Sequence, residues 1–580
     1  MEKVVIKKLK DYVKARNSNV EISDMSFDDG LDKTAIFNYY NVDGGGVEIG
    51  LCYLYGVGVA HDYKKAVKRF EELAMQGNAA AQYYLGICYY NGYGVYYVDF
   101  DKAEEWFEKA AIQGHAAAQY RVGVWCENDP FNQDKAIEWY KKSAKQGNEE
   151  AKYKLGVCYK NGYGVAKNLK KAVEWYKKSA MQGEAYAQCD LGELYYNGEG
   201  VSQDYKKAVE WFTKAAMQGN AKAQYDLARC YYDGNGVAKN RKKTLEWIEK
   251  SAEQGYAKAQ SDLGCCYYDG DGVPQDYEKA LECFTKSAEQ GYARAQFNLG
   301  RYYYENKGVA RDYEKAVYWY ERAAQQGHVA AQLNLGICYY GGDGVEQDYE
   351  KAVEWFTKAA KQGDAQAQHN LGVCFERGEG VIQDYKKAVE WYTKAAMQGN
   401  AAAQFNLGVF YKKGQGVTQD YKRAVKWFAK SAKQGDVQAQ FNLGVYYYKG
   451  EGVPQDYEKA VELFTKAAMQ GDAQAQYNLG ICYYNGQGVT QDYNKAVKWF
   501  EKAAKQEYPK AQYNLGVCFE RGEGVKQDVE TAIKWYVKSA AQGDEHAING
   551  LKKLNICVYC GGKFDEFTKK CKGCGRKKSY

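Results

Sequence analysis

Proline is nearly missing from this chain, with four in 580 residues. A chain so poor in the residue that breaks helices is free to be helical almost throughout. Long apolar runs are missing too. No stretch approaches eighteen uninterrupted apolar residues, so no membrane span is expected. Between Met1 and Asn19, Lys and Asp interrupt every apolar run, which leaves no apolar segment for a secretory signal. Charge of one sign is scarce outside the end of the chain. Net charge is +6, and residues 555–580 hold seven Lys or Arg against Asp565 and Glu566. The remainder is close to neutral, which excludes a broad nucleic-acid surface there, since that needs a basic stripe.

Catalytic signatures are absent as well. There is no G-x-x-x-x-G-K-[ST], no G-x-S-x-G and no H-E-x-x-H. The five His (His61, His115, His328, His369, His546) are scattered and read as surface residues rather than as a triad. The chain is therefore read as non-enzymatic, with no small-molecule substrate.

What the chain has is a period. A Gly-Val pair recurs thirteen times between Val59 and Val525. From Val165 the spacing is a strict 36 residues, through Val201, Val237, Val273, Val309, Val345, Val381, Val417, Val453 and Val489. A fixed period of this length marks a helical solenoid, whose function sits on an extended surface.

One unit, Asp364 to Gly399, shows the construction. Residues Ala365 to Arg377 read as a helix, A, with Leu371, Cys374 and Phe375 on one apolar face. Gly378 to Val381 is a loop, and Asp384 suits an N-cap. Tyr385, Ala388, Val389, Tyr392, Ala395 and Ala396 form the apolar stripe of a second helix, B, which Gly399 ends. Gly378 is expected at positive φ, because the one repeat lacking it carries Asn306. Gly372 lies inside helix A, where Gly is unfavourable by about 1 kcal/mol relative to Ala. Its recurrence implies that another helix packs too close for a side chain.

Of 17 Cys, nine fall in one column of helix A: Cys52, Cys88, Cys158, Cys230, Cys266, Cys338, Cys374, Cys482 and Cys518. Leu194, Tyr302, Phe410 and Tyr446 share that column. It is a core column in which free Cys acts as a small hydrophobe. No second Cys column exists to pair with it, which points to a reducing, cytoplasmic setting.

The pattern A-x-A-Q-x-N-L-G-x-x-Y-x-x-G-x-G-V-x-x-D-Y-x-K-A-V-x-W-x-x-K-A-A-x-Q-G resembles the Sel-one-like repeat, a relative of the tetratricopeptide repeat. The resemblance implies an all-α fold. It would be a right-handed superhelical α-solenoid of about fourteen 36-residue helix-loop-helix repeats, acting as an adaptor or scaffold for protein partners. Residues 31–554 form this array, preceded by a cap segment, 1–30, and followed by residues 555–580. Asp32 to Tyr40 resembles a degenerate helix B. Between Val122 and Asp134 the loop motif is lost, and register or curvature is expected to break there. The preceding loop gains a residue near Tyr96 to Val98.

Two features lie outside the core pattern. Cys557-Val-Tyr-Cys560 and Cys571-Lys-Gly-Cys574 are C-x2-C pairs ten residues apart, each followed by Gly. Four thiolates at this spacing suit a closed, structural, tetrahedral Zn²⁺ site. The segment resembles a short zinc ribbon. Its basic tail offers a contact for RNA, DNA or an acidic protein.

The second feature is a column just before the Leu-Gly of helix A. Asn298, Asn334, Asn370, Asn406, Asn442, Asn478 and Asn514 occupy it, with Asp190, Asp226 and Asp262 in earlier repeats. In tetratricopeptide relatives an Asn at the matching place lines the inner groove, so the resemblance implies a peptide-binding groove here. An amide carries both donor and acceptor and so matches any peptide unit. Phe297, His369, Phe405 and Tyr477 beside it would select side chains, and the Asp section would favour basic segments. A helix-B column (Lys279, Lys315, Lys351, Lys387, Lys459, Lys495) is as uniform and has no evident function. The reading is a non-enzymatic adaptor that takes an extended peptide or helix on its solenoid. The alternative is a nucleic-acid-associated factor that docks RNA or DNA through the ribbon and tail.

Overall fold

A computed structural model describes residues 46–129, 132–306, 310–565 and 570–577. The expected cap 1–30, the segment Asp32 to Tyr40, Val309, and Glu566, Lys569 and Lys578 of the tail lie outside the described residues. Those described form 29 α-helices and, near the C-terminus, three isolated antiparallel bridges. The chain divides into two compact units, residues 1–290 and 291–580. Each is an α-solenoid of stacked A–B helix pairs.

The unit read from sequence is found as read. Helix A spans Ala365–Arg377 and helix B spans Tyr385–Met397. Asp364 caps the first by accepting the Ala367 N–H at 2.7 Å, and Asp384 caps the second through the N–H groups of Lys386 and Lys387. Helix A ends on Gly378 at φ 75°, and Asn306 takes the same left-handed turn at φ 58°. The second loop glycine has a different role. A Cβ on Gly380 would lie 2.1 Å from the Tyr349 carbonyl oxygen, so this loop seats on the start of the preceding helix B.

Gly372 faces a ring rather than a helix backbone. A Cβ there would lie 2.6 Å from the Tyr392 ring. The same opposition of helix-A Gly and helix-B Phe or Tyr runs through both units, from Gly50 and Phe70 to Gly516 and Tyr536. In the repeat that carries Ala228 in this column, helix B offers the smaller Ile248 instead of a ring. The chain thus compensates one methyl group gained with a ring lost.

Each core is shared between neighbours. Ala388, Val389, Tyr392, Ala395 and Ala396 of one helix B pack with Ala403, Leu407 and Phe410 of the next helix A. The nine-Cys column is buried and unpaired, with Leu194, Tyr302, Phe410 and Tyr446 buried in the same position. Burial pushes the Cys374 and Cys482 thiols up to about 12, so these groups pack and do not react.

A buried amide relay runs beside this core. Gln368 donates Nε2–H to the Ala360 carbonyl at 3.1 Å and accepts from Gln398 at 2.8 Å. Gln pairs of this kind recur from Gln82–Gln113 to Gln260–Gln290 in the first unit. They continue from Gln296–Gln326 to Gln512–Gln542 in the second. Where the pattern departs, Lys152 donates to Gln182 in place of the missing amide.

The register break expected near Val122 to Asp134 is not seen among the described residues, which leave out 130 and 131. Helices Ala116–Glu127 and Gln133–Lys145 pair as elsewhere, and a Cβ on Gly123 would lie 2.6 Å from the Tyr140 ring. The Tyr140 hydroxyl donates to Glu127, which also pairs with Lys154 at 2.8 Å. These contacts replace the lost loop motif.

Candidate binding face and candidate metal centre

The Asn column lies along helix A at the margin of the core, where Asn334 and Asn406 stand close to the hydroxyls of buried Tyr320 and Tyr392. Asn334, Asn370, Asn406, Asn442, Asn478 and Asn514 are half-buried, and Asn298 is buried. Part of their hydrogen-bonding capacity is used locally. Asn370 accepts from Gln366 at 2.9 Å, and Asn442 donates to the Gln438 carbonyl at 2.8 Å. Asn442 also accepts from Lys412 at 3.3 Å, and Asn406 meets the His369 ring at 3.3 Å.

Half-buried apolar residues flank these amides. Leu333, Phe405, Phe441, Tyr477 and Tyr513 precede them, and Ile337, Val373, Val409, Val445, Ile481 and Val517 follow three places on. The rings rest on helix-B aromatics: Phe405 on Phe428 at 5.7 Å, Phe441 on Phe464 at 6.1 Å, and Tyr477 on Phe500 at 6.0 Å. His369 takes the same place against Tyr392 at 5.6 Å, and Phe297 against Tyr320 at 5.9 Å. Over six consecutive repeats of the second unit these three columns contain no Asp, Glu, Lys or Arg.

The Asp section in the first unit is differently made. Asp190 accepts from the Tyr153 hydroxyl at 3.2 Å and pairs with Lys222 at 3.4 Å. Glu193 takes Lys160 at 2.9 Å and the same Lys222 at 3.1 Å. Asp262 accepts from the Tyr225 hydroxyl at 3.0 Å. Burial pushes the Asp226 carboxyl up to about 6, with Glu193 adding to it and Lys222 opposing. Lys222 already fills the place that a basic ligand would take at Asp190 and Glu193.

The surface reading of the histidines holds for His61 and His546 only. His115 and His328 are half-buried N-caps that accept from Ala118 at 3.2 Å and Ala331 at 3.3 Å. They stack on Tyr83 and Phe297 at 4.7 Å, and burial lowers their pKa. His369 is half-buried too. The uniform Lys column also finds its reason in the fold. Lys279, Lys315 and Lys351 each sit 5.2–5.3 Å over a helix-A Tyr ring and pair with the Asp that caps their own helix.

At the C-terminus two knuckles face each other. The Sγ atoms of Cys557, Cys560, Cys571 and Cys574 all lie within 4.8 Å of one another. The knuckles are built alike. Gly561 and Gly575, at φ 71° and 72°, donate N–H to the carbonyls of Cys557 and Cys571 at 2.9 Å. Cys557 and Cys571 donate N–H to the carbonyls of Gly562 and Arg576 at 2.8 Å. Gly562 and Gly573 keep the centre open, since a Cβ on either would lie 2.9 or 3.0 Å from a thiol sulfur. A tetrahedral ion with metal–sulfur bonds of about 2.3 Å sets sulfurs roughly 3.8 Å apart. Cys557 and Cys574 stand at 3.8 Å and Cys560 and Cys571 at 3.3 Å, so the four could hold a metal with little movement.

The comparisons agree with this architecture. The Sel1 repeat model matches fourteen times end to end, from residues 47–78 to residues 509–544. A protective antigen of uropathogenic Escherichia coli, described as displaying an SLR fold, is 38% identical with a TM-score of 0.65. The match covers 73% of this chain and 91% of that one. A Sel1 repeat protein from Oxalobacter formigenes is 38% identical over 52% of this chain and 87% of its own, with a TM-score of 0.43. No curated protein matches.

Proposed function

We propose, on the premise that this chain belongs to the Sel1 repeat family, that it is a non-enzymatic scaffold whose second unit grips an extended segment of a partner protein. Sel1 repeat proteins are generally protein-interaction scaffolds. The observation that carries the reading is three columns free of Asp, Glu, Lys and Arg over six consecutive repeats, where an amide recurs with an apolar residue three places on and an apolar residue or His369 before it. Asn334, Asn370, Asn406, Asn442, Asn478 and Asn514 would bond the backbone of the segment. Asn298 continues the column but is itself buried. Phe405, Phe441, Tyr477 and Tyr513 would receive its apolar side chains. Such contacts are weak singly and add along a preformed surface. In the first unit, Asp190, Asp226 and Asp262 would take a lesser part, because chain-internal partners already engage them.

The four C-terminal Cys would hold Zn²⁺, which supplies a closed structural site and no catalytic position. Free buried thiols through the array support a cytoplasmic setting. No helix among the described residues is long and apolar enough to cross a membrane.

Affinity capture with three baits tests this: the whole chain, the chain ending at residue 554, and Asn334/Asn370/Asn406/Asn442→Ala. A partner that stays with the truncated bait and leaves the Asn variant supports the groove. Retention by the Asn variant sinks it. A second reading rests on the knuckles. Lys563, Lys570, Lys572, Arg576 and Lys577 are exposed, and Arg576 lies 4.0 Å over the ring of exposed Tyr559. Cations around an aromatic platform suit RNA or DNA. Binding would then fall steeply with salt and would vanish in the chain ending at 554.

A further inference from the structure

The array has a built-in stop. Its final helix, Glu545–Lys553, continues the helix-A pattern for nine residues against thirteen in Pro509–Arg521. Two column residues change there. Ile548 stands where the relay Gln stands in every preceding repeat but those of Gly46 and Lys152, which ends the amide relay. Lys552 stands where Gly faces the ring of the following helix B. A helix B could not pack on Lys552 as on Gly, and among the described residues no helix follows Lys553. An apolar end is nevertheless left to be covered on Tyr536, Ala540 and Leu551.

The first knuckle covers it. Ile556, 2% exposed, joins Ala532, Tyr536, Ala540, Ala547 and Leu551 in one core cluster, with Leu554, Val558, Ile533 and Val537 packed around it. Asn555 turns the chain at φ 56°, and the Ile556 N–H bonds the Leu551 carbonyl at 2.9 Å. The turn of the knuckle sits on helix Val529–Ala541 itself. A Cβ on Gly561 would lie 3.2 Å from Ile533 Cγ2 and 3.4 Å from Val537 Cγ2. Cys557, the first thiol, is therefore buried beside the last core residue of the array.

We infer that the metal-loaded knuckle pair is the C-terminal cap of the solenoid, so that holding the metal and ordering the last repeat are one coupled event. A segment this short has too little core to hold its shape without the metal. Without that shape Ile556 and Val558 leave the end face, and the helices from 529 to 553 lose their cover. Coupling is reciprocal, so disturbing the end face must in turn weaken the metal. The inference rests on the zinc reading above.

The test uses the full chain, loaded with Zn²⁺ and then stripped with a chelator, followed by amide hydrogen exchange. Stripping should speed exchange roughly tenfold or more over 529–553 and leave 385–413 unchanged. Ile556→Ser keeps all four thiols, and should weaken Zn²⁺ binding about tenfold or more in competition with a chromophoric chelator. Exchange over 529–553 that ignores the metal, together with wild-type Zn²⁺ affinity in Ile556→Ser, would overturn the cap while leaving the zinc site standing. A chain that takes up no Zn²⁺ overturns the zinc reading and the cap with it.

Discussion

Gly372 and Tyr392 form a pair whose sizes must add to a constant. Ala normally stabilises a helix interior over Gly by about 1 kcal/mol. Here the Cβ would meet the ring at 2.6 Å, and overpacking of this kind is unfavourable by about 1–3 kcal/mol. Gly372→Ala should therefore lower the urea midpoint. The chain's own Ala228 and Ile248 name the remedy: Gly372→Ala with Tyr392→Ile should lose less than the two single changes summed. Strict additivity would refute the pairing. Asp226 allows a test by pH. Its folded pKa, about 6, lies above the ordinary 3.8, so the fold favours the neutral carboxyl. That contribution is present below the ordinary value and is lost as pH rises through the folded one. Asp226→Asn should raise the melting temperature near pH 8 and converge on wild type near about pH 3.5. A difference that grows on acidification would contradict the burial argument.

At the scale of helices, the amide relay is the least expected feature. Gln404 donates to the Ala396 carbonyl at 3.1 Å and accepts from Gln434 at 2.8 Å. Gln404→Leu would strand both partners, at about 1–3 kcal/mol for each buried group left unmet. A loss in the urea midpoint no larger than that of exposed Ala402→Gln would show the relay to be incidental. Helix bounds, caps and the Cys column were legible in sequence because each depends on residues within one turn or one period. Asp364, Gly378 and Cys374 carry those signals themselves. The relay was not legible, since a Gln is ordinarily a surface residue and its partner lies thirty residues away. His115 and His328 look like surface residues in sequence for a similar reason: a cap made by an imidazole looks like any turn residue. The spacing of the four Cys brings them together as a cluster that could hold a metal, but nothing in it shows their seat. Ile533 and Val537 stand in ordinary helix-B positions, and nothing periodic marks Ile556 as the residue that covers them.

At the scale of the whole chain, neighbour contacts dominate, as a solenoid requires. Removing residues 365–400 tests this. The deletion joins Asp364 to Ala401, so that Asp364 inherits the cap made by Asn400. Gln404 then reaches the Ala360 carbonyl that Gln368 leaves free. The shortened chain should keep cooperative melting and helical circular dichroism per residue unchanged. A molten or aggregated product would mean that distant repeats depend on one another. The Gln pairs make the expectation concrete, since each joins residues about thirty apart by the same two atoms wherever it stands. Seams that carry the Gln pair and the Gly–ring pair are interchangeable with one another. In-frame gain or loss of such a repeat by gene recombination would thus lengthen or shorten the array in steps of 36 residues while reusing the same seam contacts.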